Sequence, residues 1–267
     1  MQSNDAVLAV ERKRLRRLVW ERRLIVCVTG AAFIAIWQIT GRYTNPMFFA
    51  PPSAVVIAFW QALTDPEGIL LYALLQTLSI LLPGFILACL LGVGLGVLMG
   101  RSNAAYNALD PYVIIFYNIP RIALIPILLL WMGVGDLLKI VIVILAAIFP
   151  VSVNTMVGIR DVSGQFTEPA RSMQASERQL LWLVILPAAF PFIAAGIKLA
   201  LGRALTTVIV AEFFVSVSGL GGLLQAASTS YQMALTFVPV IILAGMGIAV
   251  DGLVTYAERR LLRHYRS

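Results

Sequence analysis

Residues 69–100 of this chain read ILLYALLQTLSILLPGFILACLLGVGLGVLMG and contain no charged side chain. A run of about 20 apolar residues is long enough to cross the roughly 30 Å hydrocarbon core of a bilayer. As a straight helix, this run would extend about 48 Å, so it must tilt or project into water. The stretch therefore predicts a membrane-spanning helix and a membrane protein.

The rest of the chain repeats this pattern. Of the 267 residues, 60% are hydrophobic and 12% are charged, whereas a soluble protein carries about twice that share of charge. The apolar segment at 24–40 is longer than that of a signal peptide and no small-residue cleavage site follows it, so we expect it to remain as an anchor. We predict an all-α fold, a polytopic bundle of about six transmembrane helices in one domain at residues 24–257. Besides 69–100, the predicted spans are residues 24–40, 112–132, 138–158, 191–217 and 236–256.

The net charge of +7 is confined to the two ends of the chain. Residues 1–23 have a net charge of +4 and residues 258–267 a net charge of +3. Basic clusters that flank apolar spans are typical of cytoplasmic membrane flanks, and we expect a lipid bilayer and no nucleic acid as the partner of these groups. Of the Lys and Arg at the termini and at the connections between the spans, fifteen lie on the side of the termini and two, Arg42 and Lys139, on the other. This asymmetry predicts that both termini are cytoplasmic, with residues 1–23 as a basic helix on the inner leaflet.

Several kinds of chemistry are excluded by the residues present. Cys27 and Cys89 lie within apolar runs, where a thiol behaves as a small hydrophobic group. His264 is the only histidine and lies in the basic tail, so a metal site built from His and Cys is not expected. No GxxxxGK[ST] phosphate-binding loop occurs, so the chain is not expected to hydrolyse nucleotide itself. We expect that this chain is not an enzyme and binds no cofactor itself.

The longest predicted cytoplasmic loop, residues 160–191, has an unusual composition for a simple connection. Its small residues Ala170, Ser172 and Ala175 keep the surface low, so that another protein can approach the backbone closely. Loops of this length in compact proteins are usually functional. Pro187 is expected to stop a short apolar helix before the chain re-enters the membrane.

This loop resembles the signature of the membrane permease subunits of bacterial ABC importers. That signature, the EAA motif, is Glu-Ala-Ala, three residues, Gly, nine residues, Ile, one residue and Leu-Pro. The chain has Glu-Pro-Ala at residues 168–170, and the same spacing places Val184, Leu186 and Pro187 at the Ile and Leu-Pro positions. Gln174 stands at the Gly position. If that position has a positive φ, Gln costs about 1 kcal/mol there, or the turn is built differently.

The resemblance extends over nearly the whole chain and points to the nitrate, sulfonate and taurine branch of these permeases. It is carried by residues 50–55 (APPSAV), 120–126 (PRIALIP), 131–135 (WMGVG), 210–213 (VAEF) and 218–221 (SGLG). The resemblance implies a homodimer bound to two ABC ATPase subunits, which bind ATP and Mg, and supplied by an extracytoplasmic solute-binding protein. It also implies that coupling helices in the loop contact the ATPase through Glu168, Pro169, Ala170, Arg171, Gln174, Ala175, Leu186 and Pro187.

Charged residues within the spans are the other candidates for function. Placing a basic side chain such as Arg121 at the centre of a membrane span costs about 2.5 to 3.5 kcal/mol on insertion scales. Arg121 is therefore expected either to line an anion path or to pair with Glu212 or Asp251. Lys198 and Glu212 lie on one face of the fifth span, and Arg203 points to another. For Glu212, a structural hydrogen bond to another span is favoured over a role as a gate residue. The candidate path residues are Arg121, Lys198, Arg203 and Glu212.

Glycines mark positions of expected close packing. In the second span they let a neighbouring helix approach closely; they are Gly84, Gly92, Gly94, Gly96 and Gly100. Gly219, Gly221 and Gly222 form an uncharged outer turn that either re-enters the membrane or receives the binding protein. Residues 54–63 are too short to span and are predicted to form a short helix at the outer interface.

The leading hypothesis is a permease subunit in the bacterial inner membrane that moves a small anion inward by alternating access. Nitrate, taurine, sulfonates or similar organic acids are the anions that the resemblance implies. An ion-driven secondary transporter is the alternative, which would show inverted repeats and paired broken helices. A membrane enzyme or a structural subunit of a membrane complex would instead show His, Asp or Glu clustered at one depth. The sequence shows none of these features.

Overall fold

A computed structural model describes residues 2–162, 164–215 and 217–262, and within these ranges every regular element is a helix, as predicted. Five helices of the described part of the chain are long and apolar enough to span a membrane, and a bent pair, when counted as one span, gives a sixth. The α-helices are α1 (Gln2–Tyr43), α2 (Pro52–Thr64), α3 (Ile69–Arg101), α4 (Asn103–Asn118), α5 (Ile125–Met132), α6 (Asp136–Asp161), α7 (Gly164–Ser172), α8 (Glu177–Leu180), α9 (Leu186–Val215), α10 (Gly219–Thr229) and α11 (Met233–Leu262).

Helix α1 joins two segments that the sequence analysis separates. The basic residues 1–23 were expected to form a helix of their own, but the helix runs without interruption from Gln2 to Tyr43. The reason is local, because no Gly or Pro occurs before Gly30 to interrupt the helix. Near its end, α1 is held to the chain before α2, where Trp37 Nε1 donates a hydrogen bond to the carbonyl of Ala50 at 3.0 Å. Residues 20–36 of α1 are exposed on the outside of the bundle.

Helices α3, α6 and α9 pack side by side and form the centre of the molecule, with Ile80, Val143 and Val208 buried in one cluster. Glycines on α3 permit this packing, as predicted. A Cβ atom at Gly96 would lie 2.5 Å from Thr155 Cβ, and those at Gly84, Gly92 and Gly100 would collide with α6 in the same way. The prediction was wrong for Gly94, where nothing lies within 4 Å of an added Cβ.

The third predicted span, residues 112–132, is not a straight helix. Residues 103–118 and 121–132 are together long and apolar enough to span a membrane, but the two helical segments are bent by 89° relative to each other. Pro120 cannot donate a backbone hydrogen bond and disfavours a helical conformation at the preceding residue. Ile119 is accordingly extended, and a 3₁₀ turn, Arg121–Leu124, connects the break to α5. Arg121 therefore lies at a helix break rather than in the middle of a span.

Pro187 does not end a helix, contrary to the prediction. A π-helical turn, Leu181–Ile185, joins α8 to α9, and Leu186 N–H donates to the carbonyl of Leu181. In a regular α-helix, the ring of Pro187 would collide with the carbonyl four residues earlier, and its missing N–H would leave that carbonyl without a donor. The wider turn lies directly before the proline, and the helix continues through it into the membrane.

We predict opposite effects for alanine at two neighbouring glycines of α3. Gly96→Ala should lower the apparent melting temperature of the purified protein in detergent, because its Cβ meets Thr155 Cβ and the carbonyl of Ser152 at 2.6 Å or less. Overpacking of this kind costs about 1 to 3 kcal/mol. Gly94→Ala is the control and should be neutral or stabilising, since alanine gains up to about 1 kcal/mol in a helix. Equal stability of the two variants would contradict the close α3–α6 contact.

Candidate functional site

The cytoplasmic loop of the sequence analysis folds as a helical hairpin of α7 and α8. At the end of α7, Gln174 N–H donates to the carbonyl of Arg171 at 2.9 Å, and Ala175 N–H donates to the carbonyl of Ala170 at 3.1 Å. These two bonds form a Schellman motif, which requires a left-handed residue between them. Gln174 has a φ of 60°. The loop thus keeps the turn that a glycine would favour, with glutamine in its place.

The start of α8 is fixed by a feature that the sequence analysis missed. The Ser176 hydroxyl accepts a hydrogen bond from Gln179 N–H, and the Gln179 side chain accepts one from Ser176 N–H at 2.8 Å. This reciprocal pair is a capping box, which satisfies backbone donors at a helix start. Its sequence signal is serine followed three residues later by glutamine. The turn between α7 and α8 is therefore rigidly built on both sides.

The tip of this hairpin presents an exposed surface. Glu168, Pro169 and Arg171 are exposed, and Met173 is 84% exposed beside them. Ala170 and Ala175 are half-buried beneath this surface. Two further residues of the predicted coupling set lie elsewhere: Leu186 and Pro187 are half-buried at the start of α9, where Leu186 packs on the core near Ile159.

Side chains on both flanks of the hairpin hold residues 101–103, which we call the α3–α4 corner. After the hairpin turn, Glu177 Oε2 accepts a hydrogen bond from Arg101 at 2.7 Å. Before α7, Arg160 donates to Asn103 Oδ1 at 3.1 Å and its guanidinium carbon lies 4.2 Å from the ring centroid of Tyr106. The hairpin is thus bonded to the end of α3 and the start of α4.

At the other end of the bundle, Glu212 of α9 is completely buried. Its carboxylate accepts one hydrogen bond from the Thr77 hydroxyl and one from Gly221 N–H, both at 2.7 Å. Thr77 in turn accepts from Leu220 N–H, and Gly219 N–H donates to Gln76 Oε1, both at 2.8 Å. These side chains bind the backbone donors of the first turn of α10, which have no partner within the helix. The predicted hydrogen bond from Glu212 to another span is confirmed.

Lys139 differs from the sequence analysis, which counted it among the residues of an outer connecting segment. It lies in the first turn of α6 with a side chain only 1% exposed. Its ammonium group donates to Asp136 Oδ1 at 3.0 Å and to the Ser218 hydroxyl at 2.8 Å. Serine 218 lies 79 residues away in the chain, so no local pattern could have revealed this contact.

Lys198 has a different set of partners. Its ammonium group donates to the Thr255 hydroxyl at 2.7 Å and lies 3.6 Å from Asp251 and 3.9 Å from Glu258. Two carboxylates on α11 therefore compensate the charge of this lysine. Lys198 fastens α9 to α11.

Arg121 and Arg203 meet at a single aromatic residue, Tyr117. Arg121 donates to the backbone carbonyl of Tyr117 at 2.6 Å. Arg203 donates to the Tyr117 hydroxyl at 2.9 Å, and its guanidinium carbon lies 4.5 Å from the ring centroid. Of the two alternatives for Arg121, the structure does not contain the pairing, because Glu212 and Asp251 are both engaged elsewhere.

The two arginines share a groove of about 350 Å³ beside the break between α4 and α5. It is lined by Pro120, Arg121, Ile122, Gly202, Arg203, Thr206 and Thr207. Within the described ranges, no carboxylate oxygen lies within 4 Å of either guanidinium group, which distinguishes them from the two lysines. The groove is therefore a positively charged recess in which no acidic side chain of the described ranges pairs with either arginine.

Comparison with known proteins gives consistent matches. Residues 92–263 match the family described as the inner membrane component of binding-protein-dependent transport systems. The putative aliphatic sulfonates transport permease SsuC of Bacillus subtilis is 35% identical over 252 residues, covering 93% of this chain and 89% of that protein. The taurine transport system permease TauC of Escherichia coli K12 is 29% identical over 267 residues, covering 96% of this chain and 97% of that protein.

Solved structures support the same architecture. One chain from an inward-facing structure of the MetNI methionine ABC transporter superposes with a TM-score of 0.59 at 22% sequence identity. The match covers 75% of this chain and 98% of that one. A chain from an amino acid ABC transporter crystallised with histidines gives a TM-score of 0.57 at 18% identity. At this level of identity, the likeness concerns the fold.

The buried carboxylate should be required for stability. We expect Glu212→Ala to reduce the yield of monodisperse protein and to lower its melting temperature in detergent, because Thr77 and Gly221 lose their acceptor. A buried polar group left without a partner costs about 1 to 3 kcal/mol. Asp251→Ala is the matched control: this carboxylate is 58% exposed, and Lys198 keeps Thr255 and Glu258. Similar stability of the two variants would show that the network around Glu212 contributes little.

Proposed function

The chain belongs to the family of inner membrane components of binding-protein-dependent transport systems, and from this we propose how it operates. It is the permease subunit of an ABC importer and not an enzyme, and it works with ATPase and binding-protein partners. We propose that it moves a small sulfonate or related organic anion inward by alternating access, driven by ATPases docked on the α7–α8 hairpin. We propose that ATP and Mg bind to those partner subunits rather than to this chain.

The observation that carries this proposal is the conformation of the α7–α8 hairpin. Its tip is exposed, and the Schellman motif at Gln174 and the capping box at Ser176 hold it in one conformation. A rigid tip transmits displacement, whereas a flexible loop would absorb it. The hairpin is also bound to the α3–α4 corner on both flanks. We propose that Glu168, Pro169, Ala170, Arg171, Gln174 and Ala175 form the ATPase contact, with Leu186 and Pro187 anchoring it to α9.

The proposed substrate class follows from two sources. Relatives named for aliphatic sulfonates and for taurine cover nearly the whole chain, and both names denote molecules that carry a sulfonate group. The groove at Arg121 and Arg203 supplies positive charge, and its described lining contains no carboxylate. Among the four path candidates, we propose that these two arginines line the path. Lys198 and Glu212 hold helices together instead, since each has its own partners.

We propose further that two copies of this chain form the membrane part of the importer and that both termini are cytoplasmic. The distribution of Lys and Arg between the spans supports this orientation. The alternative, an ion-driven secondary transporter, would have paired broken helices. The described ranges contain a single bent pair, α4 with α5.

Reversing one charge on the hairpin should uncouple the complex. We expect Glu168→Lys to reduce the co-purified ATPase, or the uptake in reconstituted vesicles, by at least about tenfold, since an unfavourable charge at an interface costs several kcal/mol. Insertion of the permease into the membrane should not change, because Glu168 is exposed. The matched control is Glu67→Lys, an exposed carboxylate between α2 and α3. Normal ATPase retention and normal uptake in Glu168→Lys would remove this residue from the contact.

The orientation can be tested by labelling single cysteines in intact cells with a membrane-impermeant thiol reagent. Cys27 and Cys89 are first replaced, and cysteine is then introduced at Arg171 or at Ser228. We expect labelling at position 228 in intact cells and at position 171 only after the cells are permeabilised. The reverse pattern would place the termini and the hairpin outside.

A further inference from the structure

We propose that Arg121, Arg203 and Tyr117 form a binding site for one oxoanion group, with a sulfonate as its ligand during transport. The site lies at the break between α4 and α5 and faces the middle of α9. This inference rests on the proposed function, because it requires that an anion crosses the membrane through this chain. It adds the residues that hold the anion and the chemical group that they recognise.

Tyr117 fixes the positions of both guanidinium groups. Arg203 is placed over the ring face and bonded to the hydroxyl, while Arg121 is bonded to the backbone carbonyl of the same residue. One residue thus orients two cations from different helices. Of the five N–H donors on each guanidinium, these bonds use one each. The Nε atom of Arg121 is buried and has no hydrogen-bond partner in the described part of the chain.

The electrostatic balance of the groove points to an anionic ligand. Two like charges held at one tyrosine repel each other, and this repulsion is stronger where water is scarce. Lys139 and Lys198 avoid this cost by pairing: Lys139 bonds Asp136, and Lys198 lies near Asp251. A bound anion would compensate both arginines at once. Guanidinium groups bind carboxylate, sulfonate and phosphate oxygens with two parallel hydrogen bonds, so they select this geometry as well as the charge.

The depth of the groove favours a transported ligand over a lipid. A phosphate headgroup could present the same oxygens, but headgroups lie at the ends of membrane helices. Arg203 lies about 26 Å along α9 from Leu186 and about 18 Å from Val215. Broken helices near the middle of the membrane are where transporters place their substrate sites. We therefore assign the groove to the passing substrate.

The test measures how the groove discriminates between charged thiol reagents. Cys27 and Cys89 are replaced, and Thr206, an exposed residue of the groove, is changed to cysteine in the permease–ATPase complex in nanodiscs. Two reagents are compared: sulfonatoethyl methanethiosulfonate, which carries a sulfonate, and its trimethylammonium analogue. We expect the sulfonate reagent to react faster at Thr206→Cys relative to a reference, Thr229→Cys at the exposed end of α10.

Variants then assign the preference to the arginines. Arg121→Gln and Arg203→Gln should each slow the sulfonate reagent about tenfold, the effect of roughly one charge at short range. Neither should slow the ammonium reagent. Arg121→Lys keeps the charge and should lose less. Arg42→Gln is the control: Arg42 is exposed at the end of α1 and does not line the groove, so its loss should change neither rate.

Ligand protection separates a substrate from a lipid. Methanesulfonate should protect Thr206→Cys in nanodiscs of purely zwitterionic lipid, whereas the neutral isostere methanesulfonamide should not. Protection only by phosphatidylglycerol would assign the groove to a headgroup and overturn the proposal.

The proposal would also be overturned by equal rates for the two reagents, or by no reaction with either, which would show a groove closed to water. Sulfonate uptake is measured separately. If the groove prefers the sulfonate reagent but the complex takes up no sulfonate, the proposed substrate is wrong. If the complex takes up sulfonate but the groove shows no charge preference, this site is wrong.

Discussion

A polar group within a hydrocarbon layer has no water to replace a missing partner, and this constraint accounts for most of the structure. It explains why the first turn of α10 is built against Glu212 and Thr77, since its backbone donors must be satisfied by side chains of other helices. It also explains the burial of Lys139 between Asp136 and Ser218. These polar contacts, rather than apolar burial alone, determine how the helix ends are arranged, because apolar side chains gain little from leaving lipid.

The bundle combines a closely packed centre with a broken element beside it. The glycines of α3 let its backbone approach α6, and a single methyl group at Gly96 would collide with that helix. By contrast, α4 and α5 meet at an angle around Pro120. The groove lies between this break and α9, which belongs to the packed centre. One wall of the groove is thus built on the rigid centre, and the other is carried by a bent segment.

The sequence was sufficient for the features that depend on composition or spacing. Hydropathy located the spans, and the spacing from Glu168 to Pro187 located the hairpin, with a left-handed residue at Gln174 as its glycine position suggests. Side-chain pairing was not predictable, because it depends on which helices become neighbours. The carboxylates considered as partners of Arg121 are therefore engaged elsewhere. The prediction that Pro187 ends a helix was wrong for another reason. A π turn just before a proline lets the helix continue, and no residue type marks such a turn in the sequence.

The hydrogen bonds between the hairpin flanks and the α3–α4 corner have a geometric consequence for the groove. From Asn103, helix α4 leads to Tyr117, the residue that holds both arginines, over a length of about 21 Å. A rotation of about ten degrees at the corner would displace Tyr117 by about 4 Å, more than its hydrogen bond to Arg203 can tolerate. Helix α4 is in this sense a lever arm with its pivot at the α3–α4 corner and its free end at the groove. Small movements of the hairpin are enlarged by its length before they reach the arginines.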